Sequence, residues 1–192
     1  AHLWISIGDL RRRWASFEAR HGKDPGPRWE QALEAYGKAA ELQPTLDSAW
    51  MARGTLHHQR ATMRESRGED GRKDFEAAQA DLDRAVAASP STGGARLLRA
   101  QMAIDRGGTS RRRGEDPAAH YAAAEADLAA EMAEKPGHPE ILRARGVLHM
   151  ARSEWAAAAA DLEAAEKADP RAHPYYRRML EDARRRAAEG GK

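Results

Sequence analysis

A spacing of 46 residues runs through this 192-residue chain and restricts what it can fold into. Pro44, Pro90 and Pro136 stand 46 apart, and Pro170 follows Pro136 after only 34. Gly8, Gly54, Ala100 and Gly146 keep the 46-residue step throughout. Self-similarity at a fixed period of this size marks stacked structural units, each too small to bury its apolar face alone. The chain is rich in Ala and Arg, with 32% charged and 6% aromatic residues. Together with long periodic segments and few β-branched residues, that composition predicts helices throughout.

Superposing the units at 1, 47, 93 and 139 shows which positions agree. Leu10, Leu56, Met102 and Leu148 form one column beside the Gly/Ala column. Trp4 and Trp50 share a slot with Arg96 and Leu142. Trp29, Phe75 and Tyr121 are again 46 apart, and Trp155 follows after 34. Behind them run Ala32, Ala78, Ala124 and Ala158, then Tyr36, Leu82, Leu128 and Leu162. Aromatic, Ala and large apolar residue fall at i, i+3 and i+7, which is one face of a helix. Each unit closes at its Pro, which cannot continue a helix.

The pattern Trp4-x2-Ile7-Gly8, then Ala32-x3-Tyr36-x2-Ala39-x4-Pro44, resembles the tetratricopeptide repeat, as does Leu142-x2-Arg145-Gly146 with Ala158-x3-Leu162-x2-Ala165-x4-Pro170. The resemblance covers residues 1–172. It implies an all-α, right-handed solenoid of four helix-turn-helix repeats, whose first (A) helices line a concave groove. The repeats fall at 1–46, 47–92, 93–138 and 139–172, with a capping helix and tail at 173–192. Arg53, Arg99 and Arg145 depart from the family at a usually apolar slot, and Arg96 stands where Trp is expected. Their stems are expected to snorkel along neighbouring apolar surface.

The first three repeats carry twelve residues beyond the family's 34, around Gly22-x-Asp24, Gly68-x-Asp70 and Gly114-x-Asp116. Gly ends helices and Asp begins them, so the extra residues are expected to lengthen both helices of each pair and raise a crest along one edge. In the third repeat, Gly107-Gly108-Thr109-Ser110 predicts a mobile basic loop ahead of Arg111–Arg113. At the C-terminus, His173 to Ala187 reads as a capping helix with Tyr175, Tyr176, Met179, Leu180 and Ala183 on one side. Nothing equivalent precedes Trp4, Ile5 and Ile7. That end is therefore truncated, self-covering or a docking surface. The start at Ala1 without Met reads as a processed or trimmed piece.

Chemistry finds little support. There is no His-Glu-x-x-His, Gly-x-Ser-x-Gly or phosphate-loop pattern, and adjacent His57 and His58 point in different directions on a helix. No metal, no cofactor and no catalysis are expected. Zero cysteines exclude disulfides and thiolate metal sites. A net charge of +2 does not demand nucleic acid or an anionic membrane, and the Arg triplets at 11–13, 111–113 and 184–186 read as solvated faces. No apolar run approaches a bilayer span and no signal peptide is evident, which favours the cytoplasm.

The family's groove positions imply partner-binding residues Thr55, His58 and Gln59 in the second repeat, Leu97 and Gln101 in the third, and Arg143 and Val147 in the fourth. The Lys/Asn/Arg set with which chaperone-binding members hold a C-terminal carboxylate is absent. The resemblance implies a non-enzymatic scaffold for a protein or peptide partner, similar to repeat arrays attached to larger bacterial signalling proteins. The alternative is a structural protein that stacks head-to-tail into a filament or oligomer.

Overall fold

The computed structural model describes residues 1–90, 94–170 and 174–190; the repeat boundary at Gly93 and the expected start of the last helix at His173 lie outside them. Among the described residues the chain is all-α, with nine helices and no strand. They form two compact units, 1–98 and 99–192. The first contains α1 (His2–Arg20), α2 (Gly26–Leu42), α3 (Asp47–Ser66), α4 (Arg72–Ala88) and the start of α5 (Gly94–Arg112). The second contains the rest of α5, then α6 (Ala118–Glu134), α7 (Pro139–Ala151), α8 (Trp155–Ala168) and α9 (Pro174–Ala188).

The two helices of each hairpin run antiparallel, as cross-contacts show. Glu18 meets Arg28 while Asp9 meets Tyr36, so α2 runs back along α1. The sequence columns are the seams of these pairs. Ala32, Ala78, Ala124 and Ala158 are all fully buried, and Tyr36, Leu82, Leu128 and Leu162 lie beside them in the interior. The small-residue column lets the partner helix close in. A Cβ on Gly54 would stand 3.1 Å from Leu82, and one on Gly8 only 2.4 Å from the Tyr36 ring.

Helices α1 to α6 have 17 to 20 residues, against 13 for α7 and 14 for α8. The turns between the longer helices are near copies of one another. Gly22, Gly68 and Gly114 sit at φ 71°, 76° and 75°, a left-handed conformation that only glycine adopts cheaply. Asp24, Asp70 and Asp116 each accept a hydrogen bond from the amide two residues on, at 3.0, 3.0 and 2.9 Å. The helix itself starts one residue later than the Asp-cap pattern suggests, so the Asp stands just outside the cap as an Asx turn.

The expected mobile loop at Gly107–Ser110 is absent: α5 runs unbroken through it to Arg112. Tyr121 of α6 supplies the reason. Its ring lies where a Cβ on Gly107 would be, 2.3 Å from that position. Thr109 and Ser110 are buried, and the Thr109 hydroxyl donates to the Asp105 carbonyl at 3.1 Å. Tertiary packing thus outweighs the roughly 1 kcal/mol per glycine that helix propensity charges here.

The three unusual arginines do more than snorkel. Arg53, Arg99 and Arg145 each grip a buried carboxylate on the following helix through two parallel hydrogen bonds. Arg53 reaches Asp81 at 2.8 and 2.6 Å, Arg99 reaches Asp127 at 2.8 and 2.6 Å, and Arg145 reaches Asp161 at 2.6 and 2.5 Å. Fork-on-fork geometry of this kind fixes orientation as well as charge. The carboxylates hold the Arg53 and Arg145 protons more tightly than usual, chiefly through these bonds. In the first pair the corresponding positions hold Ile7 and Ala35, two apolar residues instead.

Candidate peptide-binding cleft

Within the second unit, α5, α7 and α9 enclose an open cleft of about 260 Å³. Gln101, Ile104 and Asp105 come from α5, Ala144 and Val147 from α7, and Tyr175 and Tyr176 from α9. Their placement follows from helix periodicity. Gln101, Ile104 and Asp105, like Ala144 and Val147, are three or four residues apart and share one helix face. Ile104 and Ala144 are buried and form an apolar floor, while Gln101 and Val147 are half-exposed on the wall. Asp105 is exposed at the rim, the one carboxylate among the seven. The two tyrosines meet edge-on at a ring separation of 5.6 Å, with Tyr175 the more exposed.

Arg143 corrects the sequence reading. Expected to face a partner, it is instead only 3% exposed. Its guanidinium donates to Asp169 Oδ2 at 2.8 Å and pairs with Glu140, and the Tyr176 ring covers it at 5.3 Å. Burial alone would release its proton, but the Asp169 and Glu140 carboxylates more than offset that and hold it. Arg143 therefore anchors α9, and with it the tyrosine wall. Burial, then the Glu140 charge, pushes the Tyr176 hydroxyl upward, keeping it neutral and able to donate.

The other expected groove residues lie in the first unit. The Thr55 hydroxyl donates to the Met51 carbonyl of its own helix at 2.7 Å. His58 sets its ring against Phe75 of α4, with centroids 5.9 Å apart. Gln59 and Leu97 are half-buried on α3 and α5. Of the seven positions, the cleft brings together Gln101 and Val147. The sequence reading missed Ile104 and Ala144 as the floor and the tyrosines as a wall; an adjacent Tyr pair opening the last helix was the available signal. Among the described residues, no group of three or more His, Cys, Asp or Glu could hold a metal ion. No helix there is long and apolar enough to cross a membrane.

No family model matches the sequence, and no curated protein matches it. Solved structures do. A thermophilic TPR protein of Thermus thermophilus superposes with a TM-score of 0.63 at 20% identity, over 88% of this chain and 77% of that one. The fold is that of the tetratricopeptide repeat. MamA of Desulfovibrio magneticus gives a TM-score of 0.54 at 16% identity, over 95% of this chain and 86% of that one. Within the tetratricopeptide-repeat fold, the cleft is bounded by the A helices α5 and α7 and closed at one side by α9. It can seat an apolar side chain on Ile104, Ala144 and Val147, with amide and hydroxyl groups around it.

Proposed function

We propose that this chain is a non-catalytic protein-interaction scaffold, and that the α5–α7–α9 cleft receives a segment of a partner protein. The repeat divisions at 46, 92, 138 and 172 belong to the same reading, as does a place within a larger bacterial signalling protein. The observation that carries it is the convergence of Gln101, Val147, Tyr175 and Tyr176 on one apolar-floored cleft. Gln101 offers both a donor and an acceptor to a peptide backbone. A floor of Ile104 and Ala144 favours an apolar anchor, the usual division of labour at peptide grooves.

Peptides selected by display on the 192-residue chain test the proposal. They are expected to share an apolar anchor residue, and to lose at least tenfold in affinity for Val147→Arg. Equal binding to the wild type and to Val147→Arg would remove the cleft from consideration.

A further inference from the structure

Between α6 and α7 lies a second cavity, of about 120 Å³ and more enclosed than the α5–α7–α9 cleft. Leu128, Ala129 and Met132 of α6 and Leu148 of α7 line it, so its walls are mostly apolar. Apolar cavities of roughly 150 Å³ admit a molecule as large as benzene, so one leucine-sized side chain fits here.

The repeat shows what suits such a space. The junction of α2 and α3 is the same junction two repeats earlier. There Tyr36 and Leu56 stand for Leu128 and Leu148, and Arg53, His57 and Arg60 for Arg145, His149 and Arg152. The position of Glu125 is held by Leu33, which packs on the core of Ala32, Tyr36 and Leu56. A salt bridge decides the difference. Arg60 pairs with Glu30 at 2.8 Å, one turn ahead of Leu33, which stays on the apolar side. The equivalent of Glu30 on α6 is Ala122, so Arg152 takes Glu125 instead, also at 2.8 Å. Position 125 thus supplies a carboxylate at the rim, and Leu128 is also smaller than Tyr36. Where the earlier junction packs a leucine, this one has an apolar cavity.

Charge sets the chemistry of the occupant. The ionisable groups at the rim already have opposite partners: Arg145 holds Asp161, Arg152 holds Glu125, and His149 pairs with Glu154. A charged tip entering among them would lose water and find no spare counter-charge, which disfavours Lys, Arg, Asp and Glu. One donor is under-used. Arg145 spends Nε and Nη2 on Asp161, while Nη1 has the Met132 sulfur at 3.0 Å, a weak acceptor. A carbonyl oxygen beside the cavity would serve it better.

We propose that the α6–α7 cavity is a second docking point, which takes one uncharged aliphatic side chain of a partner polypeptide, leucine by size, with a neighbouring backbone carbonyl accepting from Arg145 Nη1. The cavity shares no lining residue with the α5–α7–α9 cleft and does not depend on it.

Tripeptides acetylated and amidated at their ends, with Leu, Ala or Glu between two alanines, are the probes. Binding is read from the Met132 methyl resonance of methyl-labelled protein, assigned by its loss in Met132→Leu. The Leu peptide is expected to shift that resonance saturably, and the Ala and Glu peptides to bind at least tenfold more weakly. Glu125→Leu, which copies Leu33, and Ala129→Leu are expected to abolish the shift, and Val147→Arg to leave it unchanged. Both blocking positions are exposed, so the variants keep the fold, which circular dichroism verifies. Absence of a saturable shift, equal binding of the Leu and Ala peptides, or a shift that survives both blocking variants overturns the proposal. Loss of binding in Val147→Arg would overturn it too, by placing the peptide in the cleft. Self-association in sedimentation equilibrium, abolished by both blocking variants, would give the cavity to a second copy.

Discussion

Arg99 on α5 and Asp127 on α6 are joined by two hydrogen bonds of 2.8 and 2.6 Å, in a pairing that recurs one repeat earlier and one repeat later. Removing one member strands the other. Asp127→Ala is expected to destabilise by about 3 kcal/mol, the lower end for a broken buried pair, because the Arg99 side chain remains 23% exposed. The double variant Arg99→Ile/Asp127→Ala gives this slot the apolar residues that the first pair has at Ile7 and Ala35, and is expected to recover most of that loss. Urea denaturation of both variants measures the difference. A double variant as unstable as Asp127→Ala would show that the slot itself requires the ion pair.

Gly107 and Gly108 are adjacent yet respond to alanine with opposite signs. At Gly107 the new methyl meets the Tyr121 ring, and overpacking is expected to destabilise by about 1–3 kcal/mol. At Gly108 the nearest group is the Arg112 guanidinium at 3.7 Å, so the gain in helix propensity, about 1 kcal/mol, is retained. Thermal melts of the two single variants should move in opposite directions.

Gly54→Leu places a branched side chain where a Cβ alone would lie 3.1 Å from Leu82 and 3.2 Å from the Ala78 carbonyl. It is expected to destabilise by about 1–3 kcal/mol by chemical denaturation. Wild-type stability would break the column alignment on which the repeat rests.

Leu56 and Leu10 occupy one column but face different surroundings. Leu56→Ala is expected to cost about 2–5 kcal/mol, as a buried truncation does. Leu10→Ala should stay within about 0.5 kcal/mol, as exposed substitutions do. Equal losses would mean that α1 is covered.

Two histidines couple stability to pH. Burial lowers the His57 pKa despite the Asp74 carboxylate at 3.4 Å, and burial, then Arg106, lowers that of His120. Both ordinary values are 6.5. The folded chain therefore binds fewer protons than the unfolded chain just below that pH, and stability falls as the solution is acidified through it. His57→Gln is expected to flatten the slope of unfolding free energy between about pH 7 and pH 5. An unchanged slope would clear His57 of any part in it.

The columns of Ala, Gly and large apolar residues were readable because burial imposes one residue type at every copy. The Asx turns were readable for a similar reason, since a positive φ leaves little choice but glycine. Arg53, Arg99 and Arg145 stand out in the sequence as misfits, while their partners do not. Asp81, Asp127 and Asp161 follow the same steps of 46 and 34, and matching the two columns would have revealed the pairs. Gly107 misled because glycine weakens a helix in isolation, while the Tyr121 ring that favours it is fourteen residues away. The cleft was half legible: Gln101 and Val147 follow from helix phase. The tyrosine wall depends on how α9 lies over Arg143, which no local pattern encodes.

The apolar residues Ile7 and Ala35 also bear on how the chain avoids folding wrongly. Three hairpins that share one Arg–Asp pairing invite exchange, since Arg53 would grip Asp127 as well as Asp81. The first hairpin stands outside that exchange. Opposite Ala35, any of the three arginines would be a cation without a carboxylate; opposite Ile7, any of the three aspartates would be an anion without its fork. An apolar pair at one end of a series of ionic ones thus keeps the first hairpin out of that exchange.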